Sequence, residues 1–306
     1  MKNQTVVAEV EPKNAKPCCS DSNEQFQNQE ISSEEDLKAI VREKYSAIAN
    51  QTLSQNLTSC CGAGGCGTVD YSIMSESYEG KEGYYAEADL GLGCGLPTEY
   101  ADIQEGNTVL DLGSGAGNDC FVARSIVGEK GKVIGVDMTP IMIEKARKNA
   151  QKLGFNNVEF RLGEIENLPV ETNSVDVVIS NCVMNLVPNK KRAFAETFRV
   201  LKEGAHFSIS DIVLKGELPK GLKEAAEMYA GCVSGATQKD EYIRIIENSG
   251  FQKITVQKER EILIPDDILR QFLDEKGLKE FKDRKIGIFS ITVKAQKPIS
   301  GDCLVC

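Results

Sequence analysis

Residues Val109 to Asp119, VLDLGSGAGND, constrain the fold of this chain more than any other stretch. Val109, Leu110 and Leu112 form a short apolar run that Asp111 interrupts, and Gly113, Gly115 and Gly117 follow. A buried parallel strand reads this way where it runs into a tight turn that opens a helix. Glycine is needed there because the backbone must turn sharply and admit a ligand closer than a Cβ allows. A helix through Phe121, Val122 and Ile126 then points its first N–H groups at that ligand.

The loop is not a dinucleotide fingerprint, because the third glycine of GxGxxG would fall at Asn118. A pyrophosphate would also meet repulsion from Asp111 and Asp119, one at each end of the loop. Two carboxylates suit a cationic ligand instead. S-adenosylmethionine fits: it carries a sulfonium and an ammonium and has no phosphate. Downstream, KVIGVD (132–137) reads as a second strand ending in an acid, at the separation where such folds hold a ribose. Asp137 is expected to accept hydrogen bonds from both ribose hydroxyls.

From Asn107 the alternation is regular. Strand 107–112, helix 117–127 and strand 132–137 lead to a helix with Thr139 as cap and Pro140 in its first turn. Strands 158–163 and 175–181, helix 189–202 and strand 205–214 follow, then helices over 219–231 and 240–248. ITVQ (254–257), a helix near 266–276 and IGIFSITVKA (286–295) finish the sheet and add a C-terminal appendage. This rhythm predicts an α/β fold, a doubly wound and mostly parallel sheet with helices on both faces. Ligands in such sheets bind beyond the carboxyl ends of the strands, where Asp111, Asp137, Glu164 and Cys182 all fall.

Upstream, residues 1–31 lack periodicity and read as disordered. A packing helix follows, with Ser32 and Glu35 as a capping box and an apolar stripe of Leu37, Ile40, Val41, Tyr45 and Ile48. Residues 51–98 are glycine-rich and carry SCCGAGGCG, with Cys60, Cys61 and Cys66, and DLGLGCGLP, with Cys94. So long a loop is more often functional than idle. A structural zinc site from these four cysteines is disfavoured, since the CxxC spacing is absent.

With 306 residues, 41% hydrophobic content and a net charge of −10 without a basic run, the chain has no electrostatic grip on nucleic acid or anionic membrane. No segment reaches the ~18 apolar residues of a membrane span and the N-terminus has no signal-peptide core, so a soluble cytoplasmic protein is expected. Eleven cysteines in such a compartment point to metal, metalloid or redox chemistry rather than a disulfide framework. The single histidine, His206, lies at the start of the fifth strand and reads as structural. A His-based dyad, triad or multi-histidine metal site is excluded.

Six motifs together resemble the arsenite methyltransferases that use S-adenosylmethionine: GLGCGLP around Cys94, DLGSGAGND, VIGVDMT, GEIENLP around Glu164, SNCVMNLVP around Cys182 and AGCVSGA around Cys232. The resemblance implies the seven-stranded class I methyltransferase sheet, with a cysteine-bearing N-terminal segment. It places the cofactor against Asp111, Gly113, Gly115, Gly117, Asp119, Asp137, Met138, Glu164 and Ile165. It also implies that Cys94, Cys182 and Cys232 hold trivalent arsenic, with no metal cofactor. Soft thiolates suit arsenic better than imidazole or carboxylate. Arsenite condensing with thiols releases water, and the arsenic lone pair has no proton to lose, so a histidine-poor chain suffices. The family further pairs an N-terminal cysteine with the one in the GCG loop during turnover, which thioredoxin or glutathione would reverse. Cys60, Cys61 and Cys66 all qualify, with Cys18 and Cys19 behind them, and no single assignment follows. The pairs Cys18–Cys19 and Cys303–Cys306 either pre-bind arsenite or are incidental. Cys120, inside the helix after the glycine loop, reads as a small buried hydrophobe.

The expected organisation is a disordered segment (1–31), a helix and arsenic-site loop (32–98), the methyltransferase domain (99–260) and a C-terminal appendage (261–306). Two other functions are weighed. A C- or O-methyltransferase of a small organic molecule needs a base near Cys182 and leaves the cysteines unexplained. A non-enzymatic arsenite-binding thiol protein leaves the cofactor loop unexplained.

Overall fold

The computed structural model describes residues 33–50, 76–218, 235–263, 266–270, 273–283 and 286–300. Among them are seven strands in a single sheet: β1 (Thr108–Leu112), β2 (Lys132–Asp137), β3 (Val158–Leu162), β4 (Val175–Asn181), β5 (Leu201–Lys215), β6 (Gln252–Ile262) and β7 (Gly287–Gln296). Their order across the sheet is β3-β2-β1-β4-β5-β7-β6. Strands β1 to β5 pair in parallel, and β7 enters antiparallel between β5 and β6.

The central strands are apolar almost throughout because both faces are covered. Val109, Leu110 and Leu112 of β1 and Val177, Val178 and Ile179 of β4 are all buried. Two apolar clusters follow from this. Phe194, Phe207, Tyr242 and Phe251 pack in one, and Phe121, Met142, Ala146 and Phe160 in the other. Strand β6 is an edge, and its run of Lys258, Glu259, Arg260 and Glu261 leaves the charges that keep an edge from pairing with another chain.

Among the described residues the α-helices are α1 (Glu34–Ala49), α2 (Asn118–Val127), α3 (Pro140–Leu153), α4 (Lys190–Val200), α5 (Lys239–Asn248), α6 (Asp266–Leu269) and α7 (Glu275–Asp283). Several expectations shift in detail. Ser33, not Ser32, caps α1, accepting from the Asp36 N–H at 3.1 Å. Thr139 occupies the cap position of α3, but its hydroxyl makes no capping bond. Its side chain hydrogen-bonds Asp137 instead. The single helix expected near 266–276 is two, because the Asp274 carboxylate accepts from Gly277 N–H at 2.7 Å and starts α7 afresh. Strand β5 begins at Leu201 rather than 205, and α4 stops at Val200. Strand β6 runs through residue 260, where a domain boundary was expected, and β7 lies inside the sheet. The helix expected over 219–231 lies outside the described residues.

Candidate active site

The glycine loop, the acid that ends β2 and the turn after β3 meet in a cleft, open to solvent, at the carboxyl ends of the strands. Of the residues expected at a cofactor, Gly113, Gly115, Asp119, Asp137, Met138, Glu164 and Ile165 line it. Asp111 and Gly117 do not, and support the loop from behind. Asp111 is buried under it, where the Cys120 thiol donates to its carboxylate at 3.2 Å. Gly117 has φ +100°, and the rings of Phe121 and Phe160 stand 2.8 and 2.9 Å from where a Cβ would sit. Cys120 is buried as expected, and its bond to Asp111 is an addition that no spacing in the sequence signals.

Asp137 uses both carboxylate oxygens on the backbone, accepting from Thr139 N–H at 2.8 Å and Gly115 N–H at 3.0 Å. It therefore clamps the glycine loop as well as closing β2. Burial pushes its pKa up, and those two N–H groups oppose the rise. Asp111 is raised well above the carboxylate range by burial, with the charges of Asp119 and Asp137 adding to the shift. Asp119 is pushed up to about 6 by burial, against hydrogen bonds from Tyr78 and Asn181 that hold it down.

Three carboxylates this close, with Asp111 buried and Asp119 and Asp137 partly so, are a poor host for an anion and a good one for a cation. A cationic ligand lowers their pKa values again, so its binding releases a proton where Asp119 is half protonated. Affinity for S-adenosylmethionine should thus rise with pH through about 6. Below that value it should fall by up to about tenfold per unit. Calorimetry in buffers of different ionisation enthalpy measures the released proton directly, and an affinity flat across this range would rule the linkage out.

Helix α1 roofs the cleft, and Val41 and Tyr45 line it. Lys38, buried on the same stripe, reaches Glu164 at 2.8 Å and Glu166 at 2.9 Å. Burial alone would push the Lys38 ammonium down, but the two carboxylates outweigh it and raise its pKa. Sequence reasoning missed this residue. The signal was a lysine in register with Val41, Tyr45 and Ile48.

Cys182 follows β4 directly, at φ +61° in the left-handed region, with its N–H donating to Ser210 O at 2.8 Å. Cys94 sits on the loop before the 3₁₀ turn Pro97–Tyr100. Its N–H donates to the Asn181 side-chain oxygen at 3.0 Å, and its C=O accepts from the Ser290 hydroxyl at 2.6 Å. Both cysteines are buried, and they pack in one apolar cluster with Ile212, Leu214, Ile262 and Ile288. Cys182 also lines the cofactor cleft. Cys232, Cys60, Cys61, Cys66 and the pairs Cys18–Cys19 and Cys303–Cys306 lie outside the described residues. Because β5 already begins at Leu201, His206 lies within the strand rather than at its start, its Nε2 2.5 Å from Ala101 O.

A sheet of this order, with a glycine loop between acids, defines a class I methyltransferase, and a methyltransferase-domain family model matches residues 103–250. An arsenite methyltransferase of Halobacterium salinarum is 43% identical over 283 residues, covering 88% of this chain and 68% of its own length. The human arsenite methyltransferase is 37% identical over 221 residues, or 66% of this chain, and the match spans 58% of the human protein. The crystal structure of an arsenic(III) S-adenosylmethionine methyltransferase from Chlamydomonas reinhardtii matches with a TM-score of 0.58 at 35% identity, covering 75% of this chain and 73% of that one. This chain belongs to the arsenite methyltransferase family. Among the described residues no helix is long and apolar enough to cross a membrane.

Proposed function

We propose that the protein methylates trivalent arsenic held by the thiolates of Cys94, Cys182 and Cys232. The observation that carries this reading is the meeting of Cys94 and Cys182, from loops far apart in sequence, in one buried apolar cluster beside the cofactor cleft. A thiol in such surroundings gains little from water and much from a soft ion that needs no hydration. S-adenosylmethionine, when bound, supplies an electrophilic methyl group. Asp137 and Glu164 fit its ribose and adenine ends, and Asp119 fits its positive charge. The cysteines hold the arsenic lone pair towards the cleft, and in-line positioning does most of the catalysis. The reaction needs no general base and no metal cofactor.

Electron counting adds a redox step. Methylation takes arsenic formally from the trivalent to the pentavalent state, which binds thiolates poorly and has no lone pair for another round. A further cysteine thiolate attacking the sulfur of an arsenic-bound cysteine forms a disulfide, breaks that As–S bond and leaves its electron pair on the arsenic, which returns to the trivalent state. The family resemblance assigns that disulfide to Cys94 with Cys60, Cys61 or Cys66. A cytoplasmic thioredoxin or glutathione system would reduce it by exchange. Arsenite, free or as a thiol conjugate, is the substrate.

The test follows arsenic speciation together with S-adenosylhomocysteine release. Release should require arsenite, stall after about one methylation without reductant and resume with thioredoxin. Arsenite-independent release would favour a small-molecule methyltransferase. Cys94 and the three upstream cysteines all alkylating as thiols after product forms would eliminate the redox step alone.

A further inference from the structure

We propose that Asn181 is a positioning residue that sets the Cys94 thiol against Cys182 and couples arsenic binding to occupancy of the cofactor cleft. The inference rests on the assignment of these two cysteines as arsenic ligands. Asn181 ends β4, so its own peptide carries Cys182. Its side chain holds the other ligand loop. The Oδ1 atom accepts from Cys94 N–H at 3.0 Å and from Gly95 N–H at 3.2 Å. The Nδ2 atom donates to Gly95 C=O at 2.8 Å. Two N–H donors on one side and a carbonyl on the other leave a single chemically consistent orientation for the amide.

The amide also faces the cofactor cleft. Nδ2 lies 2.6 Å from the Tyr78 hydroxyl and 3.2 Å from Asp119 Oδ2, and that hydroxyl donates to Asp119 Oδ1 at 2.6 Å. Asp119 lines the cleft. One side chain thus touches the backbone of one thiol ligand, adjoins the other in sequence and meets a carboxylate of the cofactor site.

Flanking glycines show how closely the loop is fitted around it. A Cβ at Gly93 would lie 2.6 Å from Asn181 Nδ2. At Gly95 it would lie 2.6 Å from the Ser210 hydroxyl. The Gly-Cys-Gly sequence is therefore the space that Asn181 and Ser210 require, as well as a flexible turn. Aspartate at position 181 would keep the shape. It would turn an oxygen towards Gly95 C=O and place a second negative charge against Asp119.

Coupling between two sites is reciprocal, so it is readable from either ligand. The experiment measures arsenite dissociation constants by calorimetry under reductant, with and without S-adenosylhomocysteine, for the parent, Asn181→Asp and Gly93→Ala. Gly93→Ala displaces the same amide sterically while removing no donor or acceptor group. In the parent, S-adenosylhomocysteine should change arsenite affinity by about fivefold or more. In both variants that ratio should fall to about one, with the arsenite KM raised about tenfold or more. The cofactor KM should change less than the arsenite KM. A merely structural role would lower thermal stability and affect both substrates alike, leaving the ratio intact. A parent that methylates arsenite but shows no coupling, or variants that keep the parental ratio, would overturn the proposal. A parent that does not methylate arsenite would instead overturn the function on which it rests.

Discussion

Cys182→Ser should abolish arsenite methylation, a loss on the order of a thousandfold or more in kcat/KM. A hard hydroxyl replaces a soft thiolate, so arsenite binding should weaken as well. The fold should survive, because the position is fixed by the backbone bond to Ser210 and the serine is nearly isosteric. Cys120→Ser is the matched control. Its thiol is just as buried but only donates to Asp111, and a hydroxyl can do the same. That variant should methylate at near the parent rate. If Cys182→Ser still turned over arsenite comparably, the thiolate site would be wrong. Arsenic speciation after a fixed incubation decides between these outcomes.

Asp137→Ala is the second large effect. Losing two ribose hydrogen bonds to a charged acceptor costs on the order of 3 kcal/mol, about a hundredfold in cofactor affinity. The clamp on Gly115 and Thr139 implies more, because the substitution also strips the glycine loop of its anchor. Asp137→Asn keeps one carbonyl oxygen for a single backbone donor and should fall between the parent and alanine. Titration calorimetry gives the series, and alanine binding S-adenosylmethionine like the parent would remove Asp137 from the cofactor site.

The sheet was legible because buried parallel strands are written as apolar runs, and β1, β2 and β4 are such runs, with Asp111 one residue before the end of β1, Asp137 at the end of β2 and Cys182 just after β4. The cleft was legible for the same reason: strand ends converge, so residues at those ends meet. What escaped has no period to reveal it. Lys38 meets Glu164 across 126 positions, and Asn181 meets Cys94 across 87. Neither contact leaves a trace in local spacing. Asn181 stood inside a motif quoted for its cysteine. Strand β6 was seen only as ITVQ, because as an exposed edge it carries more charge than apolar pattern. The α6–α7 break was set by one carboxylate, that of Asp274, which a helical stripe does not register.

The placement of β7 has a consequence for how the protein comes into being. It follows every other strand in the sequence, yet its partners on either side are β5 and β6. A growing chain can pair β1 through β5 as they emerge, but the flank of β5 stays open until residues 287–296 arrive. Ser290, which holds Cys94 by its carbonyl, and Thr292, which meets Ser210 at 2.9 Å, arrive in that same strand. During synthesis the cofactor half of the molecule can therefore take shape well before the thiol half is secured. Through that interval the edge of β5 and the loop that carries Cys94 both lack the strand that later covers them, so the nascent chain offers an unpaired edge and a soft thiol side by side.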